Sequence, residues 1–274
     1  MRRLLSTLAA LVLGVAPVVS VRAETFGSPQ TPIDVSFHCP APGAVPPEDA
    51  SISGVTDDGK AISLTVTVAL DGVSRRRAEI VFDKAAEAYA PLDIVLEPLF
   101  RRVHFRSPDV NEAGDPAAEI LSLLYFVRER FGGEVPRGSD VVYVATDKDL
   151  YLREDGERNY GYGGYADCIG GVRDRHTAFA VGEAELAAER ETIAGVVRPA
   201  MNASAKIAAH EIGQLMGGRH EEANCVEGIP SELVPEGDVA SPCTLMWGFS
   251  GFSINFGTVE AAVVRGYARR FASP

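Results

Sequence analysis

The run SAKIAAHEIGQLMGG at residues 204–218 constrains the fold of this chain more than any other stretch. Its apolar residues recur at a spacing of about 3.6, which predicts a helix with one buried face that ends at the two glycines. Residues four apart share a face of a helix, so His210 and Gln214 are expected to point the same way. Because glycine readily takes the left-handed conformation, Gly217 can turn the chain and bring His220 back toward the same point.

This spacing is that of a zinc site with one altered position. With histidine in place of glutamine, residues 210–220 would read HExxHxxGxxH, in which three imidazoles bind zinc and the glutamate holds a water. H-E-x-x alone occurs by chance in ordinary helices, and the alternative is a solvated His-Glu pair. The glycine and the last histidine, at the required places, favour the zinc site. Its residues would be His210, Gln214 and His220 at the metal, and Glu211 as the general base.

Strand and helix signals alternate along the chain before this helix. Strands are predicted at 62–70, at 92–105 with an interruption at Pro98, at 139–147 and at 176–184. Helices are predicted at 74–90, at 115–131 with Asp115 as the N-cap and Pro116 in the first helical position, and at 258–271. The Gly- and Tyr-rich run at 159–171 predicts an exposed edge strand or ribbon. This order predicts the α/β class, with a small irregular C-terminal part that ends in a helix.

The N-terminal segment predicts export. Two arginines precede an apolar run over 4–21, and Val21-Arg22-Ala23 ends that run as a cleavage site would. An uncleaved membrane anchor is the alternative, because the run is almost long enough to span a bilayer, but Pro17 and the small residues favour cleavage. We therefore expect a signal peptide at 1–23, an extended Pro- and Gly-rich lead-in at 24–60, and a folded domain at 61–274 of a secreted or periplasmic protein.

Composition narrows the class of partner. The chain is 46% hydrophobic and 23% charged, which is typical of a globular protein, and its net charge is −12. Nucleic acid and anionic membrane surfaces both require a basic patch, so neither is an expected partner of the mature chain.

Four cysteines in an exported chain predict two disulfides, for which three connectivities exist. Cys225 and Cys243 bracket the loop at 226–242 and are the preferred pair, which leaves Cys39 with Cys168. Cys39 could also be a latency cysteine, but a disulfide is favoured.

A second feature lies after the helix, in the run SPCTLMWGFSG at 241–251. HEIGQLMGGRHE followed by a cysteine and a TLM turn resembles the metzincin zinc endopeptidases, in particular their reprolysin-like (adamalysin) branch. The resemblance is good over 139–250 and plausible over 60–274. It implies a mostly parallel twisted sheet with an antiparallel edge strand, a bound Zn²⁺, a protein or peptide substrate, and a Met-turn at 243–249.

The resemblance also implies roles for individual residues. His210 and His220 would bind zinc, Glu211 would be the general base, and Met246 would form the hydrophobic floor of the site. An extended peptide would pair with the edge strand from Tyr165 to Ile169. The residues implied to bind substrate are Tyr165, Ala166, Ile169, Trp247 and Phe249; those with a structural role are Gly217, Met246, Cys225 and Cys243.

Gln214 is the main departure from the family pattern. An amide oxygen is a poorer donor to zinc than an imidazole nitrogen, so zinc affinity is expected to fall by about 10²-fold. Glu221 stands where reprolysins usually have Asp, and Glu221 or Glu222 could replace the lost ligand only if the loop rearranged. The expected function is an exported zinc endopeptidase weakened at this position. The alternatives are an inactive pseudo-protease that binds peptides, a structural metal site, and a site for another ion.

Overall fold

A five-stranded sheet forms the centre of the fold. The computed structural model of the chain describes residues 59–184, 203–220, 225–226, 241–242, 244–246 and 255–272. The strands are β1 (Ile62–Asp71), β2 (Ile94–Val103), β3 (Ala117–Glu119), β4 (Val141–Thr146), β5 (Asp149–Glu154), β6 (Glu157–Asn159), β7 (Gly164–Ala166), β8 (Phe179–Glu183), β9 (Cys225–Val226) and β10 (Ser241–Pro242). The helices are α1 (Arg75–Tyr89), α2 (Ile120–Arg130), α3 (Ala203–Leu215) and α4 (Thr258–Phe271).

The central sheet has the order β2-β1-β4-β8-β7. Its first four strands are parallel, and β7 is antiparallel to β8 at the edge. Every residue of β4 and β8 is buried, as expected for parallel strands covered on both faces. The α/β class and the mostly parallel sheet with an antiparallel edge strand are therefore confirmed.

The helix predicted at 115–131 begins later than expected. Its N-cap is Glu119 instead of Asp115, and its first helical residue is Ile120 instead of Pro116. The backbone N–H of Asp115 instead donates to the Asn111 side chain, and residues 117–119 pair in parallel with β5. Pairing with a distant strand thus supplies the hydrogen bonds that a first helical turn would have made, so this part of the prediction is wrong.

Two further differences concern the strands. Strand β2 runs through Pro98 without the predicted interruption, because β2 is an edge strand and the missing N–H need not face a neighbour. The hairpin of β5 and β6 was not predicted. Its two-residue turn has Asp155 and Gly156 both at positive φ, 51° and 89°, and the Asp-Gly pair was the signal that could have located it.

Several predictions lie outside the described residues. These are the signal peptide at 1–23, nearly all of the lead-in at 24–60, and the positions of Cys39, Glu221, Glu222, Cys243, Trp247 and Phe249. In the described part of the chain, no helix combines the length and the apolar character needed to cross a bilayer.

Candidate functional site

Helix α3 packs closely against the sheet because two glycines face it. Gly164 of β7 and Gly182 of β8 are paired across the strands. A Cβ on either residue would lie 2.5–2.6 Å from the Ile207 Cγ2 atom of α3, inside any normal contact distance. From the other side, the buried Tyr89 hydroxyl donates to the Ala209 carbonyl at 2.6 Å. These contacts fix the helix in position and in rotation.

The end of α3 has the geometry of a Schellman motif. The Gly217 N–H donates to the Gln214 carbonyl at 2.8 Å, and the Gly218 N–H donates to the Gly213 carbonyl at 2.9 Å. Gly217 has φ +86°, the left-handed conformation that glycine adopts without strain. This turn directs the chain back so that His220 reaches the helix face that carries His210.

Three side chains converge at one point after this turn. The Nε2 atoms of His210 and His220 are 2.9 Å apart, and their rings lie 4.9 Å apart between centroids. The terminal amide of Gln214 lies 3.2 Å from the His210 Nε2 and 2.7 Å from the His220 Nε2. The structure therefore brings together the three residues expected at the metal.

No arrangement of protons satisfies all three contacts. His210 Nδ1 lies 2.8 Å from the Leu245 carbonyl, which only an N–H can approach, so the Nε2 of the neutral ring carries a lone pair. If the Gln214 amide nitrogen donates to both rings, the lone pairs of the His210 and His220 Nε2 atoms face each other. If the His220 Nε2–H instead donates to His210, that N–H also points toward the N–H groups of the Gln214 amide. Rotating the Gln214 amide by 180° exchanges its nitrogen and oxygen, so that the His220 N–H could donate to the oxygen. The same oxygen would then face the lone pair of the His210 Nε2, and that contact would be repulsive.

A cation at this point would resolve the conflict, because two ring nitrogens and an amide oxygen would all direct lone pairs toward it. Ligand atoms on a tetrahedral zinc are about 3.3 Å apart, so the three atoms would have to separate by a few tenths of an ångström. The donor set therefore fits a zinc ion, with one weak ligand. Among the described residues no three His, Cys, Asp or Glu side chains form a metal-binding group, as expected when one of the three donors is an amide.

Burial keeps the two imidazoles neutral. The pKa of His210 falls from 6.5 to about 3, mainly because of burial and next because of the neighbouring His220, while the bond to the Leu245 carbonyl partly opposes the shift. Burial also lowers the pKa of His220, whose ring nitrogen contacts His210 and Gln214 although the residue as a whole is exposed to solvent. Neutral imidazole is the form that binds a metal.

Glu211 points from α3 toward the edge strand. A Cβ on Gly164 would lie 2.8 Å from the Glu211 Oε1 atom, and the Ala166 N–H donates to the carboxyl group. The other oxygen, Oε2, is buried and has no hydrogen-bond partner. Burial raises the pKa of Glu211 well above its ordinary value, and the Ala166 N–H partly opposes this shift.

Strand β7 presents backbone groups next to Glu211. The Asp167 N–H donates to the Phe179 carbonyl, and the Glu183 N–H donates to the Gly163 carbonyl, so odd-numbered residues of this strand face β8. Gly164 and Ala166 consequently direct their N–H and C=O groups to the other edge. No strand in the described part of the chain pairs with that edge.

The residues expected to bind substrate are only partly on this strand. Tyr165 and Ala166 are on β7 and are buried, and Tyr165 is 4% exposed. Ile169, expected on the same strand, lies beyond its end and is half-buried, because the chain turns at Gly170 with φ +72°. The prediction of a strand that continues to Ile169 is wrong.

Met246 lies beneath the end of α3. It is fully buried, and a Cβ on Gly213 or on Gly218 would lie 3.1 Å from its Sδ or Cε atom, respectively. The preceding Leu245 supplies the carbonyl that holds His210. The turn at 244–246 therefore supports the site from below.

The cysteine pairings stay predictions. Cys168 is buried, and its expected partner, Cys39, lies outside the described residues. The backbone of Cys225 pairs with that of Ser241, and Cys243 lies outside the described residues.

Four contributions to the site were not anticipated from sequence. They are the Leu245 carbonyl, the Tyr89 hydroxyl, the Gly164–Gly182 pair and the Ala166 N–H. Only the glycines left a signal, since a glycine inside a strand often marks a close approach of another part of the chain.

Several solved structures resemble the chain at low sequence identity. The chain resembles archaemetzincin from Methanopyrus kandleri (18% identity, 79% of this chain and 100% of the other, TM-score 0.47). It also resembles metalloproteinase-II from Bacteroides fragilis (14%, 73% and 51%, TM-score 0.43), of whose length it spans about half. A zinc-dependent peptidase from Methanocorpusculum labreanum matches at 17% identity over 58% of this chain and 85% of the other, with a TM-score of 0.37. No protein-family model and no curated protein matches the chain.

Proposed function

We propose that this chain is an exported zinc endopeptidase of the metzincin type, in its reprolysin-like branch, with activity weakened by Gln214. One observation carries the proposal. The ring nitrogens of His210 and His220 meet the Gln214 amide within 2.7–3.2 Å, and Glu211 lies on the same helix beside an edge strand.

The chain's own groups divide the chemistry of peptide hydrolysis. Zinc held by His210, His220 and Gln214 would acidify a water and polarise the substrate carbonyl. Glu211 would take a proton from the attacking water and pass it to the leaving amine. Because the Glu211 carboxyl group now accepts the Ala166 N–H, it must turn away from β7 before it can act as a base.

The edge strand would bind the substrate. An extended peptide could add to β7 by hydrogen bonds to the outward backbone groups of Gly164 and Ala166. Backbone pairing of this kind accepts many sequences, so we propose a protein or peptide substrate. Trp247 and Phe249 are proposed to line the pocket for the residue after the scissile bond.

Export is proposed from the N-terminal sequence. Cleavage after Ala23 would release a secreted or periplasmic protein, with disulfides Cys225–Cys243 and Cys39–Cys168. N-terminal sequencing and peptide mass mapping of the protein recovered outside the cytoplasm test both statements. An N-terminus at Met1, or reduced cysteines, would contradict them.

Zinc content and casein hydrolysis test the enzymatic proposal. They should be measured for the parent chain, Gln214→His and Glu211→Ala, with His176→Gln as a control. The His176 ring contacts the Gly133 carbonyl, far along the chain from the motif. We expect Gln214→His to gain both zinc and activity, Glu211→Ala to keep zinc and lose activity, and the control to match the parent. If Gln214→His gains neither zinc nor activity, residue 214 is not a former ligand.

A catalytically inactive pseudo-protease is the second candidate. It is favoured by the amide at position 214 together with the Glu211 carboxyl group, which is buried and bonded to the Ala166 N–H rather than directed into the histidine cluster. Under this alternative the parent binds an extended peptide without cleaving it, and Glu211→Ala leaves the binding unchanged. Cleavage by the parent that is lost in Glu211→Ala would exclude this alternative.

A further inference from the structure

The C-terminal helix places one aromatic ring between two left-handed turns. Tyr267 of α4 is 2% exposed. A Cβ on Gly217 would lie 2.8 Å from its Cε2 atom, and a Cβ on Gly170 would lie 2.8 Å from its Cε1 atom. Both glycines have positive φ, +86° and +72°. The ring therefore occupies the space that a side chain would fill at either turn.

The same two turns are joined at the end of α3. The N–H groups of Gly170 and Gly217 both donate to the Gln214 carbonyl, each at 2.8 Å. One turn follows the edge strand β7, and the other leads to His220. Tyr267 thus packs against a unit that includes the end of the metal-site helix, the turn that follows the edge strand and the start of the segment that carries the last histidine.

The contact at Gly217 sets the direction in which the chain leaves the helix. Backbone hydrogen bonds fix the two turns relative to Gln214, but the outer side of the Gly217 turn is held by the Tyr267 ring. Without the ring, that side would face a void, and a glycine turn has the freedom to relax into it. Because His220 follows three residues later, a small rotation of this turn would displace its Nε2 from the His210 ring.

We propose that Tyr267 is a positioning residue that holds the Gly217 turn so that His220 meets His210 and Gln214. The proposal rests on the proposed function only where it treats His220 as a metal ligand. The position of the His220 ring in the metal-free chain is independent of that function.

Ring signals of the histidines, observed by NMR in the metal-free chain, test the positioning directly. In Tyr267→Ala and in Tyr267→Leu we expect the His220 and His210 signals to move, while those of His104 and His176 stay in place. Tyr267→Phe keeps the ring atoms that face both glycines, so it should restore the parent signals. The leucine variant retains part of the buried volume in case the alanine variant does not fold.

Zinc affinity, measured by chelator competition, provides the second readout. Residues that orient a metal ligand typically contribute about 10-fold or more in affinity, so Tyr267→Ala and Tyr267→Leu should bind zinc about 10-fold more weakly, and Tyr267→Phe as the parent does. Val264→Ala is the control, because Val264 is a fully buried residue of the same helix and lies one turn before Tyr267. It should lower thermal stability without changing zinc affinity.

The outcomes separate this inference from the proposed function. Unchanged His220 signals in Tyr267→Ala and Tyr267→Leu would overturn the inference, as would an equal loss of zinc affinity in Val264→Ala. If the signals move as expected but neither the parent nor Gln214→His binds zinc, the positioning role holds and the zinc peptidase proposal fails.

Discussion

Replacing Gln214 with histidine is expected to raise the affinity of the chain for Zn²⁺ by about a hundredfold. A structural zinc site contributes about 10–16 kcal/mol, so one of four ligands accounts for about 3 kcal/mol. Each factor of ten in affinity corresponds to about 1.4 kcal/mol, which converts that share to about 10². The figure is an upper value, because the amide oxygen of Gln214 retains part of the ligand's contribution.

The structure indicates that the exchange needs little rearrangement. The Gln214 amide already lies 2.7 Å and 3.2 Å from the two ring nitrogens, against the separation of about 3.3 Å between ligands on a tetrahedral zinc. An imidazole at 214 would start from the same helix face, four residues after His210. The ring at 210 is already oriented by the Leu245 carbonyl, so its alignment adds no further cost.

Competition with a chromophoric chelator at neutral pH measures the difference, starting from metal-free protein. At this pH both imidazoles favour the neutral form, because burial lowers the pKa of His220 and that of His210 falls to about 3. Protons therefore compete little with zinc for the ring nitrogens. His176→Gln tests for nonspecific loss of a histidine. An affinity of Gln214→His within about threefold of the parent would refute the reasoning, because it would mean that position 214 does not contact the metal.

Three other substitutions test the packing and the buried charge around the site. Burial raises the pKa of Glu183 from 4.5 to about 8, so the native state binds this proton more tightly and stability should fall by roughly 3–5 kcal/mol as pH rises from 4.5 to above 8. Glu183→Gln should flatten that fall in denaturant unfolding. Gly182→Ala should destabilise by about 3 kcal/mol, because its Cβ would lie 2.0 Å from the Tyr143 hydroxyl oxygen. Tyr89→Phe should cost about 1 kcal/mol in thermal unfolding, since it removes the hydrogen bond to α3.

Each of these has an outcome that would contradict it. An unchanged pH profile in Glu183→Gln would mean that another group titrates in this range. Gly266→Ala is the matched control for the glycine substitution, because nothing lies within 4 Å of its Cβ and alanine favours the interior of α4; it should stabilise by about 0.5–1 kcal/mol. Equal effects at positions 182 and 266 would show that the close approach of α3 is not the cause. Tyr89→Phe with parental stability would mean that helix α3 does not depend on this hydrogen bond.

Much of the fold could be predicted from local patterns. The helices at 204–218 and 258–271 follow from apolar spacing and were found at Ala203–Leu215 and Thr258–Phe271. The helix start near Asp115 could not be predicted in this way. The capping signal there was sound, but pairing of residues 117–119 with β5, a strand more than thirty residues away, took precedence.

The same distinction between local pattern and distant contact applies to the candidate site. The sequence by itself determined the residues at its centre, because helical periodicity places His210 and Gln214 on one face and a glycine turn returns His220 to it. Only the tertiary structure decided how those residues are held. The Leu245 carbonyl, the Tyr89 hydroxyl, the Ala166 N–H and the Tyr267 ring all come from distant parts of the chain. Contacts of this kind depend on packing between elements rather than on spacing within one, so no local pattern records them.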